Sequence, residues 1–444
     1  MSAVAVRSGV VPARRLLPQG WPILAGYVLF PIWWVLGGGQ FVWMLLALPM
    51  LFALLLRRRV AFPRGFGLWL AFLGWMLLSG LQLDAADRAV GFAYRAAIYA
   101  SATIVLLYVF NLREDELPTK RVIDVLAFFW LFVVVGGYLA LIAPDFAFTT
   151  PVEVVLPHSL LTNSFVYEMV HPGFAQVHTF LGYPVPRPAA PFVYTNDWGS
   201  NFGILLPFAV LSFLRTRSDL WRLVLLLAAA AALVPVVVSL DRGLWLSAGV
   251  GILYALLRLG ASGRGRVLGA AAVLLPMTLL ILWFSPLHKL ISDRFAHPHS
   301  NERRLSLYAE SVQGVNGSPV FGYGAPRPSD LSSNAPSVGT QGQLWLVLFS
   351  HGYPGVVLFL GWFVWTWWRM RGTDPPMAFL AHVVLVIAFV QMPFYGWLPV
   401  QIQTLMIACA LGWRALEERA RERVEERSTW MLEPAPRPSE SAWA

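Results

Sequence analysis

Long apolar runs dominate this chain, and the connections between them are alternately rich and poor in arginine. Each run has roughly 17–23 residues, which is enough for a helix to cross a bilayer core of about 30 Å. Arginine clusters such as Arg57–Arg59 and Arg215–Arg222 recur on every second connection. Cytoplasmic connections of membrane proteins carry an excess of lysine and arginine. The pattern therefore predicts an all-α polytopic integral membrane protein of about 12 transmembrane helices, with both termini in the cytoplasm.

The predicted spans form a single transmembrane domain over residues 21–416. They cover 21–37, 40–56, 66–83, 89–111, 122–143, 199–214, 222–239, 243–257, 267–284, 341–368, 376–394 and 398–416. A cytoplasmic tail at 1–20 precedes the domain, and a charged to disordered cytoplasmic tail at 417–444 follows it. Two connections on the extracytoplasmic side, 144–198 and 285–340, are long. Long loops in compact proteins are usually functional or disordered, and the aromatic content of the first favours an ordered, functional loop.

The composition agrees with a membrane protein and excludes several other classes. Charged residues are 13% of the chain, whereas soluble domains contain about 25%. The net charge of +9 comes from arginines at helix ends, where they set orientation and contact anionic lipid, so we expect membrane lipids and no nucleic acid as partners. The single cysteine, Cys409, allows no intramolecular disulfide. His158, His171 and His178 lack tight metal-ligand spacing, so the sequence predicts no metal site and no cofactor.

Arg187 is the single basic residue of the 144–198 loop. Its planar guanidinium suits an anion such as phosphate, because it offers two parallel hydrogen bonds. The alternative is an ion pair with Asp197 or Glu168 that fixes the loop. Both interpretations remain open from the residues alone.

Two further polar segments fall at the extracytoplasmic ends of predicted spans. Asp241 and Arg242 lie in a short connection between two spans, where charged groups are usually functional or paired. They either form a salt bridge at a tight turn or supply a functional arginine, which we favour. In the 285–340 loop, Arg303 and Arg304 either bind an anion or form a solvated helix face.

The order and spacing of these segments resemble the O-antigen ligase and polysaccharide polymerase family of bacterial envelope enzymes. The resemblance covers roughly residues 180–370. Its motifs are an arginine followed by an aromatic and an asparagine, a Ser-x-x-Arg-Gly step, an arginine-containing outer helix, a Pro-x-x-Gly-x-Gly turn and a Gly-x-x-Gly break. They correspond here to Arg187, Phe192 and Asn196, to Ser239–Gly243, to Arg303 and Arg304, to Pro319–Gly324 and to Gly352–Gly355.

One position departs from the family pattern. The family histidine, which is proposed to assist acceptor activation, falls at Gln341, and its asparagine falls at Gly342. Glutamine orients a hydroxyl but is no general base near neutral pH. Glu302, His299 and His351 are the candidate substitutes. His351 would lie about three turns further along the helix, roughly 15 Å from Gln341, which also fits a packed residue.

The resemblance implies an extracytoplasmic glycosyltransferase of the bacterial cytoplasmic membrane. Its donor would be a glycan on polyprenyl pyrophosphate, and its acceptor a glycan, a lipid or a protein. Arg187, Arg242 and Arg303 or Arg304 would hold the pyrophosphate without a metal, with Asn196 beside them and Gln341, Glu302 or His351 assisting catalysis. Two alternatives stay open: a transporter or flippase of an anionic lipid-linked substrate, and a non-catalytic subunit of an envelope complex.

Overall fold

The computed structural model describes residues 18–179, 181–285, 287–296, 299–330, 336–397 and 399–432, with the backbone alone at 267, 299–303 and 427–432. The described residues are 73% helical, with almost no sheet. The helices are α1 (Trp21–Val28), α2 (Phe30–Val35), α3 (Val42–Leu55), α4 (Phe66–Ser79), α5 (Ala86–Asn111), α6 (Thr119–Ile142), α7 (Pro151–Val155), α8 (His158–Leu161), α9 (Ser164–Val170), α10 (Thr195–Arg215), α11 (Asp219–Val238), α12 (Arg242–Ala261), α13 (Gly265–Phe284), α14 (Leu287–Ala296), α15 (His299–Asn316), α16 (Gln343–Arg369), α17 (Pro376–Gln391) and α18 (Pro399–Leu432). A 3-10 turn, Gly80–Gln82, follows α4.

The predicted apolar segments all coincide with helix, but their lengths differ. Within the described chain, six helices are long and apolar enough to cross a membrane: α5, α6, α10, α11, α12 and α16. α13 and α14 together would form a seventh span, bent by 86°. α3, α4 with its 3-10 turn, and α17 are shorter apolar helices. The prediction of an all-α membrane protein is therefore confirmed in its general form, and the count of about 12 crossings stays a prediction.

Small residues allow the central helices to pack closely. The Trp198 indole of α10 donates a hydrogen bond to the Val133 carbonyl of α6 at 2.9 Å. A Cβ added at Gly136 would lie 2.1 Å from the Ala190 carbonyl oxygen, and one at Gly137 would lie 2.7 Å from Pro235 Cβ. Small residues are enriched at such interfaces because helix association in lipid depends on close packing. These contacts hold α10, α11 and the end of the first loop against α6.

The arginine-rich connections meet at one end of the helices. Arg57, after α3, pairs with Glu116, before α6, at 2.9 Å. Arg414, in the middle of α18, pairs with Glu114 at 2.8 Å. The connections that the sequence predicts on the cytoplasmic side thus contact one another. The two long loops lie at the opposite ends of their helices.

The first long loop is ordered and carries the sheet. After α7, α8 and α9, strands β1 (Ala175–His178) and β2 (Val185–Pro188) form an antiparallel hairpin. Gln176 and Arg187 are cross-strand partners in this hairpin. Thr150 caps α7 in a capping box with Glu153, which satisfies two backbone N–H groups at the start of the helix. The hairpin delivers Arg187 to the start of α10.

The second long loop docks onto a break in α16. At Gly352 the backbone leaves the helical conformation, with φ 68° and ψ −172°. The Tyr323 and Gly324 N–H groups donate to the carbonyls of Phe349 and Ser350 at 3.0 and 2.8 Å, and the Tyr353 N–H donates to the Pro319 carbonyl at 2.9 Å. The Pro-x-x-Gly-x-Gly turn therefore pairs with the Gly-x-x-Gly break. It satisfies backbone groups that the break removes from the helical hydrogen-bond ladder.

Candidate anion-binding site

The connection between α11 and α12 is the centre of the candidate site. Leu240 has a φ of 51°, a left-handed conformation that is uncommon for a residue other than glycine. Arg187 Nε donates to the Ser239 carbonyl. Arg294 Nε donates to the Leu240 carbonyl at 3.1 Å. Two buried arginines from two different loops therefore hold one strained turn, which costs about 1–3 kcal/mol by itself.

Asp241 connects this turn to the start of α12 and to the connection that follows α17. Its Oδ1 accepts a hydrogen bond from the Leu244 N–H at 3.4 Å, which caps α12. The Tyr395 hydroxyl also donates to Oδ1. Burial raises the pKa of Tyr395 well above its ordinary value, and the Asp241 charge raises it further. Tyr395 therefore stays a neutral donor. The Asp241 carboxylate is buried, with Oδ2 left without a hydrogen-bond partner in the described chain.

Four arginines line one cavity of about 250 Å³ beside this turn. Arg187 and Arg294 are buried, and Arg242 and Arg304 are half-buried. The remaining lining residues are His178, Asn196, Leu240, Asp241, Gly243, Leu246 and Phe394. We call this space the arginine cavity. It gathers side chains from β1, β2, α10, α12, α14 and α15, which the outer loops bring together.

The charge balance of the arginine cavity favours an anion. Four guanidinium groups face one carboxylate among its lining residues. Burial lowers the pKa of Arg187, while Asp241 and Tyr395 act in the opposite direction and Arg304 lowers it again. Burial lowers the pKa of Arg294 to about 10, and repulsion by the other guanidinium groups of the cavity acts in the same direction. A bound anion with several oxygens would remove this repulsion and accept charge-assisted hydrogen bonds.

His178 adds a neutral group to the same cavity. Burial lowers the pKa of His178 to about 4, and the charges of Arg187 and Arg294 lower it in the same direction. The imidazole is therefore uncharged near pH 7, when one ring nitrogen donates and the other accepts. It contributes polarity without adding to the positive charge.

Four of the residues that the sequence predicts as substrate-binding line the arginine cavity: Arg187, Asn196, Arg242 and Arg304. The side chains of Arg303 and Glu302 lie outside the described residues. The structure therefore does not test their predicted roles. The cavity joins side chains that are more than a hundred positions apart in the sequence.

Gln341 and His351 do not line this cavity. Gln341 is half-buried just before α16, and its Nε2 lies 3.5 Å from Thr340 Oγ1. His351 is 3% exposed, and its Nδ1 lies 2.6 Å from Ser79 Oγ. The imidazole also contacts the Phe72 ring edge to face. His351 is therefore a packed residue at the α16 break, as its expected distance from Gln341 also allows.

Sequence reasoning missed three participants: Arg294, His178 as a cavity residue, and Tyr395. Arg294 carried the same signal as Arg187, a positive charge in an extracytoplasmic loop, but it belongs to no motif. Tyr395 lies in a short connection whose contact with Asp241 is purely tertiary. Within the part of the chain that the structure describes, no group of three or more His, Cys, Asp or Glu side chains could hold a metal ion.

No protein-family model matches the chain, and no curated protein matches it. The resemblance to the O-antigen ligase and polymerase family stays a prediction that rests on the motifs and their order.

Proposed function

We propose that the protein is an extracytoplasmic glycosyltransferase, a ligase or polymerase of the bacterial inner membrane. It moves a glycan from a polyprenyl-pyrophosphate donor to an envelope acceptor. The observation that carries the proposal is the arginine cavity, at the opposite end of the helices from the arginine-rich connections. A pyrophosphate headgroup is an anion of the size and charge that four guanidinium groups favour.

The proposed reaction is a displacement at the anomeric carbon of the donor sugar. The acceptor hydroxyl oxygen forms the new bond while the bond from the anomeric carbon to the pyrophosphate oxygen breaks. The electron pair leaves with the pyrophosphate, and negative charge develops on its oxygens. Arg187, Arg242, Arg294 and Arg304 are already gathered there, so they stabilise that charge without reorganising during the reaction.

The acceptor hydroxyl must lose a proton in this step. Gln341 orients the hydroxyl at most, because an amide takes no proton near neutral pH. His351 is buried against Phe72 and Ser79, away from the arginine cavity. Glu302, which precedes Arg304 on α15, is therefore the candidate that we retain as the proton acceptor.

A transporter of the same lipid-linked anion is the second candidate. The observation that favours it is the 86° bend between α13 and α14, because broken helices often line transport sites. Such a protein would bind the donor in the arginine cavity and release it unchanged.

The test is a transfer assay with purified protein in nanodiscs, extracted polyprenyl-pyrophosphate glycan and envelope acceptors. We expect release of polyprenyl pyrophosphate, and loss of release in Arg187→Lys and Arg242→Ala. Arg187→Lys keeps the charge and removes the planar fork. Arg113→Ala is the control, because Arg113 is 76% exposed in a surface pair with Asp115 and such pairs contribute little.

The two candidates predict different results in the same assay. Donor binding without release of polyprenyl pyrophosphate, with every acceptor offered, would support the transporter. Unchanged release in both arginine variants would contradict the proposed role of the arginine cavity.

A further inference from the structure

A second cavity lies between the first outer loop and the turn that joins α2 to α3. Its volume is about 180 Å³. Its polar lining groups come from Trp34, Gln40, Glu168, His171, Gln176 and Tyr194. We call it the neutral cavity because its lining residues include no arginine or lysine; its one acidic lining residue is Glu168. The volume exceeds the ~30 Å³ share of one water molecule and is smaller than the ~300–1,000 Å³ sites of drug-sized ligands.

Two polar side chains of this cavity, those of Gln40 and Trp34, are largely buried. Gln40 is 6% exposed and lines the cavity. The Trp34 indole N–H is buried and has no acceptor in the described chain. An unsatisfied buried polar group costs about 1–3 kcal/mol. Such groups beside a cavity therefore favour a ligand that both donates and accepts hydrogen bonds.

The other polar groups of the neutral cavity are held in place by the fold. Tyr194 donates its hydroxyl to Glu168 at 2.5 Å. Gln176 accepts the Thr195 N–H through Oε1 at 2.9 Å, which turns its amide NH₂ toward other acceptors. His171 Nδ1 lies 2.9 Å from Glu153, which orients the ring. These groups are fixed before any ligand arrives, as in a preorganised binding site.

The chemistry of the lining distinguishes this cavity from the arginine cavity. A carboxylate, two amides and an indole N–H accept from and donate to hydroxyl groups, and the carboxylate disfavours an anion. An uncharged ring that carries several hydroxyl groups meets all of these requirements, and its size is that of a single sugar.

The two cavities share a wall. Gln176, at the neutral cavity, and Arg187, at the arginine cavity, are cross-strand partners. Directly paired strand residues have Cα atoms about 4.5–5.5 Å apart. Tyr194 lines one cavity and Asn196 lines the other, on either side of Thr195. A ring in the neutral cavity would therefore lie next to a pyrophosphate in the arginine cavity.

We infer that the neutral cavity binds one uncharged sugar ring, from the donor glycan or from the acceptor. Its position relative to the leaving group rests on the proposed function. Gln40 and Glu168 are the residues that recognise the ring hydroxyls, and the Trp34 indole N–H supplies a further donor.

The experiment is calorimetric titration of the full-length protein in detergent. The probes are methyl glycosides of neutral hexoses, deoxyhexoses and N-acetylhexosamines, with inorganic pyrophosphate titrated separately. We expect Gln40→Leu and Glu168→Gln to weaken glycoside binding about tenfold or more, with pyrophosphate binding retained. Glu168 is exposed, so its substitution leaves the fold intact. Gln82→Leu is the matched control, because Gln82 is exposed and lines neither cavity.

The inference fails if the wild type binds none of the glycosides, or if both variants bind them as tightly as the wild type. If the glycoside titrations fail in this way but pyrophosphate binding is lost in Arg242→Ala, the proposed function remains supported. If glycoside binding depends on Gln40 but the protein has no transfer activity, the sugar site is supported and the proposed function is contradicted. The transfer assay with Gln40→Leu and Glu168→Gln identifies the source of the ring. A KM raised for the acceptor alone would assign the ring to the acceptor, and a KM raised for the donor alone would assign it to the donor.

Discussion

The docking of the Pro-x-x-Gly-x-Gly turn onto the broken helix α16 makes Gly322 sensitive to a single added methyl group. Its φ is 62°, where a side chain is disfavoured. A Cβ at this position would lie 2.5 Å from the Phe349 carbonyl oxygen and 2.7 Å from the Gly352 backbone nitrogen. Both neighbours are backbone atoms, so relief of the clash requires the turn to move away from the break.

The expected destabilisation of Gly322→Ala has two parts. The left-handed conformation costs alanine about 1–2 kcal/mol. Movement of the turn would weaken the hydrogen bonds that Tyr323, Gly324 and Tyr353 make across the interface, each of which contributes about 0.5–1.5 kcal/mol. We therefore expect a loss of about 3 kcal/mol or more in the free energy of unfolding.

Gly182→Ala is the matched control for this prediction. Gly182 has a φ of 86°, but a Cβ there would meet no atom within 4 Å. It should pay the conformational cost alone, about 1–2 kcal/mol. The assay is denaturant-induced unfolding of both variants and the wild type in the same mixed micelles. Equal losses in the two variants would refute the view that the turn and the helix break form one interface.

Three further outcomes follow from the arginine cavity and its surroundings. Arg294→Ala should weaken pyrophosphate binding about tenfold or more by calorimetry, and Arg294→Lys should recover part of the loss. Wild-type affinity in Arg294→Ala would exclude Arg294 from the site. Tyr395→Phe should destabilise the protein by about 1–3 kcal/mol, because it removes a buried donor to Asp241. The exposed Tyr353→Phe should change stability by less than half as much in the same unfolding assay. Burial lowers the pKa of His178 to about 4 from 6.5. As the pH falls from 6.5 toward 4, the unfolded chain therefore binds a proton that the folded chain does not, which stabilises the unfolded state. Tm should consequently fall more for the wild type than for His178→Asn over this range.

The helices could be predicted from the sequence because a long apolar run in a membrane has few alternatives. Backbone groups in hydrocarbon must be satisfied within the segment, which selects the helix. The number of crossings could not be predicted in the same way. Pro31 is the second residue of α2, and Leu29 separates α2 from the end of α1, so one predicted span is two short helices. The lengths of α3 and α17 likewise depend on packing that a hydropathy pattern does not record.

The candidate site could be predicted in part, for a related reason. Arg187 and Arg242 stand out because positive charge on the extracytoplasmic side contradicts the general loop rule. Arg294 is also a positive charge on the extracytoplasmic side, but it lies in α14, whose position depends on the bend after α13. The contact of the glycine turn with the α16 break joins two motifs that the sequence presents separately. Gln40 fell inside a predicted span, so its position beside a cavity had no sequence signal.

The most direct test of the arginine cavity as the pyrophosphate site is an electron cryo-microscopy structure of the protein in nanodiscs with a polyprenyl-pyrophosphate glycan bound. We expect density for both phosphate groups within hydrogen-bond distance of Arg187, Arg242, Arg294 and Arg304. We also expect the anomeric carbon to lie toward the wall that the two cavities share. A pyrophosphate bound elsewhere, with the arginine cavity occupied by solvent, would contradict this assignment.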